Sequence, residues 1–166
     1  RGKGPILVVD ADPNSNLNEV LGVDAETTLG DIREEMAHAE RDGTIPPNMT
    51  KADYADMKFG DAVIEEDDYD MLIMGRTEGT GCYCYVNSVL KTQIQKYMGN
   101  YNYMVIDNEA GLEHIARGTL PKVDTMLLVS DASRRGIQAA GRLAQMINDL
   151  KLDPPVMKLI VNRAPN

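Results

Sequence analysis

The sequence predicts an α/β fold, a doubly wound and mostly parallel sheet with helices on both faces. Three observations lead there. Strand-like apolar runs alternate with helical patterns along the whole chain. The runs are continuously apolar, as strands buried on both faces are, and do not alternate apolar with polar. Most of them end in acidic or amide residues, at the strand ends where such sheets bind ligands.

The elements follow in order. "PILVVDADP" (5–13) is a short apolar run closed by acidic residues and Pro, a buried parallel strand. From Asn14 to Gly22, Leu17, Val20 and Leu21 fall at helical spacing, with Gly22 as the stop. "TTLGDIREEMAHAERDG" reads as a helix capped near Thr28 and ended by Gly43. "TIPPNMTKADYADMKFGDAVIEEDDYD" is polar, acidic and Pro-containing, and reads as a surface excursion. "DMLIMG" (70–75) is the second strand. After a Gly-rich loop, "NSVLKTQIQKYMG" is a helix with Asn87 or Ser88 as cap and Gly99 as stop. "NYMVIDNEAG" (102–111) is a third strand, followed by the short helical piece "LEHIARG". "DTMLLVSDAS" (124–133) is a fourth, and "SRRGIQAAGRLAQMINDLKL" a long amphipathic helix capped by Ser133. "PVMKLIVNRAPN" (155–166) is the last.

Composition narrows the class. The length of 166 residues suits a single domain, 1–166, with a real core. With no Trp and one Phe, ten Met and the aliphatic residues build that core. A formal charge of -9 argues against nucleic-acid binding, which draws on cationic neutralisation of phosphates. No run approaches the roughly 18 apolar residues of a membrane span, and no leader pattern opens the chain. The expectation is a cytoplasmic protein with no membrane span, its two cysteines reduced.

Asp10, Asp12, Asp107, Glu109, Ser130, Asp131 and Asn162 all fall at carboxyl ends of strands. For Asp10 and Asp12 two readings stand side by side. Asp12 can start a turn while Asp10 caps the next helix; or the pair, with Asp107, can serve a hard cation such as Mg²⁺, which takes one or two carboxylates plus substrate phosphates. A response-regulator receiver domain shares the acidic strand end of "PILVVDADPNSN", but "MLIM" ends in Gly75 where a phospho-acceptor Asp is needed, and no Lys-Pro follows the last strand. Cys82 and Cys84 in "GCYCYVN" are the only thiols. Packing in a loop is one reading of them. Metal ligation is the other, and two ligands then need two more from a second copy across a two-fold axis.

Across nearly the whole chain, "VVDADPNSNLNEVLG", "IMGRTEGTGCYCYVNSVLKT", "MVIDNEAGLEHIARGT", "VDTMLLVSDASRRGIQAAGRLAQMI" and "LIVNRAPN" resemble consecutive blocks of the carbon monoxide dehydrogenase maturation ATPases. These CooC-type nickel-insertion accessory proteins belong to the P-loop class of MinD and the nitrogenase iron protein. The resemblance implies that Asp12 is the switch I carboxylate orienting the attacking water and that Asp10 assists the magnesium shell. It implies that Asp107 is the Walker-B aspartate, with Glu109 and Gly111 in the switch II turn. It implies that Asn162 reads adenine, where the residue alone suggests a strand-end turn. Glu113 and His114 match the family block without a chemical role. ATP and Mg²⁺ are the implied cofactors, and Ni²⁺ or Zn²⁺ the metal held by Cys82 and Cys84 between the subunits of a homodimer. Carbon monoxide dehydrogenase is the implied client. A non-enzymatic Ni/Zn carrier, a MinD/ParA-like partitioning or regulatory ATPase, and a ligand-free scaffold are the competing classes.

The family opens with a strand–GKGGxGKT–helix unit whose backbone amides and lysines hold the phosphates. Gly2-Lys3-Gly4 precedes a strand instead of following one, so it is not that loop. The expectation is a P-loop domain without its first strand and P-loop, with exposed apolar side chains beside Asp107. These 166 residues alone should therefore show no magnesium-dependent ATP turnover above background, and steady-state turnover by the isolated chain would overturn that.

Overall fold

The structure, a computed structural model, describes residues 4–12, 14–76, 92, 95–108, 123–150 and 154–164. The chain forms two compact units, Arg1–Glu109 and Ala110–Asn166.

In the first unit, strand β1 (Ile6–Asp10) is followed by helices α1 (Leu17–Leu21), α2 (Leu29–Asp42) and α3 (Lys51–Asp61), then strands β2 (Ile64–Glu65), β3 (Asp70–Ile73) and β4 (Tyr103–Asp107). The sheet order is β2-β3-β1-β4. β1 lies between β3 and β4 and is parallel to both, while β2 closes the β3 edge antiparallel. The α/β, mostly parallel fold expected from the sequence is what forms.

The core lies between one sheet face and two helices. Leu7, Val9 and Leu72 from the sheet meet Leu29, Ile32, Met36 and Ala39 of α2 and Tyr54, Ala55 and Phe59 of α3. α2 starts at a reciprocal capping box: Thr28 Oγ1 accepts from the Asp31 amide at 3.2 Å and Asp31 Oδ2 from the Thr28 amide at 2.9 Å. It ends at Gly43, whose φ of 67° is the left-handed conformation a C-cap needs.

The segment 44–70 corrects the expectation of a surface excursion. Residues Lys51–Asp61 are helix α3, and Phe59, the chain's only Phe, is fully buried in the core. The polar appearance comes from the outward face. Tyr54, Ala55 and Phe59 repeat at helical spacing on the inward one, behind a second capping box between Thr50 and Asp53. The hydrogen bond from Thr50 also holds the Asp53 carboxyl below its usual range. Lys58 reaches Glu35 of α2 at 2.7 Å, and that contact raises the Lys58 ammonium pKa.

α1 departs from expectation in another way. Its helical spacing is real, yet it buries none of its residues, and Val20 is 79% exposed. Residues 95–98 are helical and Gly99 turns the chain, as expected; the start of that helix lies outside the described residues. So does "LEHIARG".

The second unit pairs β5 (Thr125–Asp131) and β6 (Val156–Asn162) in parallel. Helix α4 (Arg134–Asp149), capped by Ser133, covers one face through Ala140, Leu143, Ala144 and Ile147 against Met126, Leu128 and Met157. Leu127 and Val129 alternate with these and are exposed. Among the described residues, no helix is long and apolar enough to cross a membrane.

Phe59→Ala should destabilise the chain by about 3–5 kcal/mol and Thr50→Ala by about 1 kcal/mol, read from denaturant midpoints. Val20→Ala should fall within about 0.5 kcal/mol of the parent. An unchanged midpoint for Phe59→Ala would return segment 44–70 to the surface.

Candidate functional site

The site is built at the carboxyl ends of β1 and its two neighbours. Parallel pairing sets Asp10 in register with Ile73 on one side and Asp107 on the other. Period-two alternation puts Asp10 and Asp107 on the face opposite Leu7 and Val9.

Asp10 is 0% exposed, and each carboxylate oxygen accepts a backbone amide: Asp12 on Oδ1 and Leu17 on Oδ2, both at 3.0 Å. A buried, unpartnered carboxylate costs several kcal/mol, and charge-assisted bonds of about 1.5–3 kcal/mol each offset that. Asn16, the residue at the α1 cap position, makes no side-chain capping bond, so α1 receives its acceptor from β1. Asp12 starts a turn. Its Oδ1 accepts the Asn14 amide at 2.8 Å and its main-chain oxygen the Ser15 amide at 2.9 Å, with Ser15 in the left-handed region at φ 49°. The turn-and-cap reading of the D-x-D pair is thus realised for both residues, while Asp12 Oδ2 stays outside the hydrogen bonds of the turn.

Asp107 is tied in through its main chain, whose oxygen accepts the Ala11 amide at 2.8 Å. Its carboxyl pKa is raised, first by burial and then by the like charges of Asp10 and Asp12. Both causes act in the same direction, disfavouring the charged carboxylate. The buried side-chain oxygen of neighbouring Asn108 has no hydrogen-bond partner among the described residues. β4 is an edge strand among the described residues, and Tyr103 and Val105 beside it are half-exposed, as expected for the neighbourhood of Asp107.

Three further residues were missed by sequence reasoning. The Gly30 amide, in the first turn of α2, donates to Met74 O at 2.9 Å, and a Cβ on Gly30 would collide with Arg76 O. Gly75 has φ 66° and no room for a Cβ against Thr28. This close approach seats the chain after β3 against the start of α2, and Arg76 from there donates to Asn14 Oδ1 at 2.6 Å. The two glycines at helix start and strand end were the available signal; the Arg76–Asn14 pair, 62 residues apart, left none.

The expected residues divide as follows. Asp10, Asp12 and Asp107 come together. Asn162 ends β6 in the second unit, where its Oδ1 accepts the Arg163 amide at 2.9 Å and supports Arg163 at φ 53°. Asp131, its register partner, accepts the Ser133 amide at 2.9 Å, and hydrogen bonds from Ser133 hold its carboxyl below the usual range. Glu109, Gly111, Glu113, His114, Cys82 and Cys84 lie outside the described residues. Among the described residues no group of three or more His, Cys, Asp or Glu is arranged to hold a metal ion.

A mostly parallel sheet with α-helical cover and carboxylates at adjoining strand ends is an α/β fold with its site at the carboxyl ends of the strands. The chain matches the solved structure of a ParA family ATPase from Chlorobium tepidum with a TM-score of 0.64 at 19% identity, over 99% of this chain and 63% of that one. Residues 2–158 match the family model described as AAA domain (AAA_31), and the chain belongs to that family. It is 46% identical over 158 residues to an uncharacterized ATP-binding protein of Methanocaldococcus jannaschii, covering 95% of this chain and 62% of that protein. It is 29% identical over 157 residues to the carbon monoxide dehydrogenase accessory protein CooC of Rhodospirillum rubrum, covering 87% of this chain and 59% of that protein. The chain thus spans about three fifths of the length of these curated relatives.

The raised pKa of Asp107 has a defined consequence. Between the unfolded value of about 3.9 and the raised folded value, the native state binds more protons than the unfolded one. Stability therefore falls as pH rises through that window, and the loss is complete above it. Asp107→Asn should stabilise the metal-free chain at neutral pH by under about 1 kcal/mol, a small effect because the residue keeps solvent contact. The gain should vanish below the ordinary carboxylate range in thermal unfolding followed across pH. A destabilised variant at neutral pH would contradict it.

Proposed function

We propose that the chain is the carboxylate-bearing part of a magnesium-dependent ATPase that matures carbon monoxide dehydrogenase by nickel insertion, as a homodimer. The observation that supports this best is the gathering of Asp12 and Asp107 at adjoining strand ends, where burial and then the charges of Asp10 and Asp12 push the Asp107 carboxyl up. The donor set fits Mg²⁺: hard oxygens, one or two carboxylates, and no closed protein cage among the described residues. Asp107 and Asp12 would hold the ion's shell, and the ion supplies neutralisation of phosphate charge when bound.

In this reading Asp12 orients the attacking water. Its turn hydrogen bond fixes the carboxylate through Oδ1 and leaves Oδ2 outside the turn. Glu109 and Gly111 belong to the responsive turn after β4. Asn162 reads adenine through its amide Nδ2, which is compatible with Oδ1 accepting from Arg163. Cys82 and Cys84 provide two thiolates, and the twin chain provides the other two, so that Ni²⁺ or Zn²⁺ is carried as cargo between subunits. The two sheets belong to one domain, and the protein works in the cytoplasm. The likeness to CooC, with the "GCYCYVN" block, favours this reading over a partitioning ATPase on the same fold.

In the full-length chain, Asp12→Asn should lower kcat for ATP by at least about 100-fold with little change in nucleotide affinity. Cys82→Ser with Cys84→Ser should abolish stoichiometric nickel or zinc binding while ATP binding persists. Unchanged metal per dimer in that double variant would place the cargo elsewhere and leave the ATPase reading standing. Metal binding that ignores both nucleotide and the loss of Asp12 would instead identify a plain carrier.

A further inference from the structure

Asp10 is the one buried charged side chain among the described residues. Its main chain is held on both sides, in register with β3 and β4, and its main-chain oxygen accepts the Met74 amide at 2.8 Å. The carboxylate is therefore presented from the most constrained strand of the sheet. Its two bonds go to backbone amides that bracket one segment: Asp12 at the start of the turn and Leu17 at the start of α1. Between those anchors stand the Asp12 carboxylate and Asn14, the partner of Arg76.

In place of the magnesium-shell role that the resemblance implied, we infer that Asp10 is a positioning residue. It sets where the Asp12 carboxylate stands by holding the Asp12 and Leu17 amides, and it contacts neither nucleotide nor cation. Two features carry this. Both carboxylate oxygens already accept charge-assisted bonds from amides. The side chain has no solvent-exposed surface through which a hydrated ion could approach. Asp12, by contrast, is only partly buried. Two carboxylates two residues apart thus take different work, one inside the sheet end and one on the turn it holds.

The kinetic consequence rests on the ATPase reading; the positioning itself does not. The experiment compares the parent, Asp10→Asn and Asp12→Asn in the full-length chain. Asp10→Asn replaces one acceptor oxygen by an amide group that donates, so one of the two bonds is lost. Amide exchange at Asp12 or Leu17 should then speed up by about 10-fold, while exchange at Val8 and Val9 holds. With ATP and Mg²⁺, kcat should fall by about 10- to 100-fold as Asp12 drifts, with the half-saturating Mg²⁺ within about twofold of the parent. Asp12→Asn should lower kcat with exchange at residues 12 and 17 unchanged.

Unchanged exchange at both amides in Asp10→Asn, or a rise in half-saturating Mg²⁺ beyond about fivefold, would overturn the inference. Should Asp10→Asn not fold, the parent decides: scalar couplings across the hydrogen bonds from the Asp12 and Leu17 amides to the Asp10 carboxylate should persist when Mg²⁺ and ATP are added. Their loss on loading would show Asp10 released to the ion and sink the proposal. A parent that turns over no ATP would refute the ATPase reading alone, because exchange and couplings still report on Asp10.

Discussion

A carboxylate enclosed at the end of a central strand constrains everything around it. Asp10 has no water to solvate it, so the chain must bring donors, and the nearest donors are its own next amides. Meeting that demand bends the backbone at Asp12, places Ser15 in a left-handed conformation and starts α1 at Leu17. α1 buries nothing, so its place is set less by hydrophobic packing than by the bond to Asp10. The loop carrying Asp12 is thus an electrostatic construction mounted on a hydrophobic sheet.

The same region is held from its far side by steric means. The turn after β3 passes so close to the start of α2 that neither Gly30 nor Gly75 has room for a side chain. Arg76 emerges from that contact and meets Asn14, so the Asp12 segment is tied to β1 from within and to the β3 end from outside. Among the described residues Asp107 receives no comparable partner, and burial together with the charges of Asp10 and Asp12 makes its ionisation less favourable. Membership of the AAA domain family agrees with a site of this kind.

What supports the sheet end is an ordinary packed core, reached by an unexpected route. α3 arises from a polar stretch because its inward positions, Tyr54, Ala55 and Phe59, are few and correctly spaced. Phe59, packed against Tyr97 at 4.8 Å between ring centroids, is fully buried in the core with Leu7, Val9 and Leu72 of the sheet. Two Thr-x-x-Asp capping boxes mark where α2 and α3 begin, and the second was present in the sequence although the acidic surroundings obscured it.

The sequence by itself determined the order of strands and helices outside segment 44–70, the stops at Gly22 and Gly43, the cap at Ser133 and the placing of Asp10, Asp12 and Asp107 at strand ends. Those features follow from local periodicity, backbone freedom and capping, which a chain carries wherever it folds. Tertiary structure decided the rest. Adjacency in the sheet put Asp107 beside Asp10 although the two stand 97 residues apart in sequence. Burial assigned Asp10 to backbone amides while Asp12 kept a solvent-facing side, although both are the same residue type in one short motif. Burial and strand adjacency depend on what packs from elsewhere in the chain, and no local pattern of side chains encodes them.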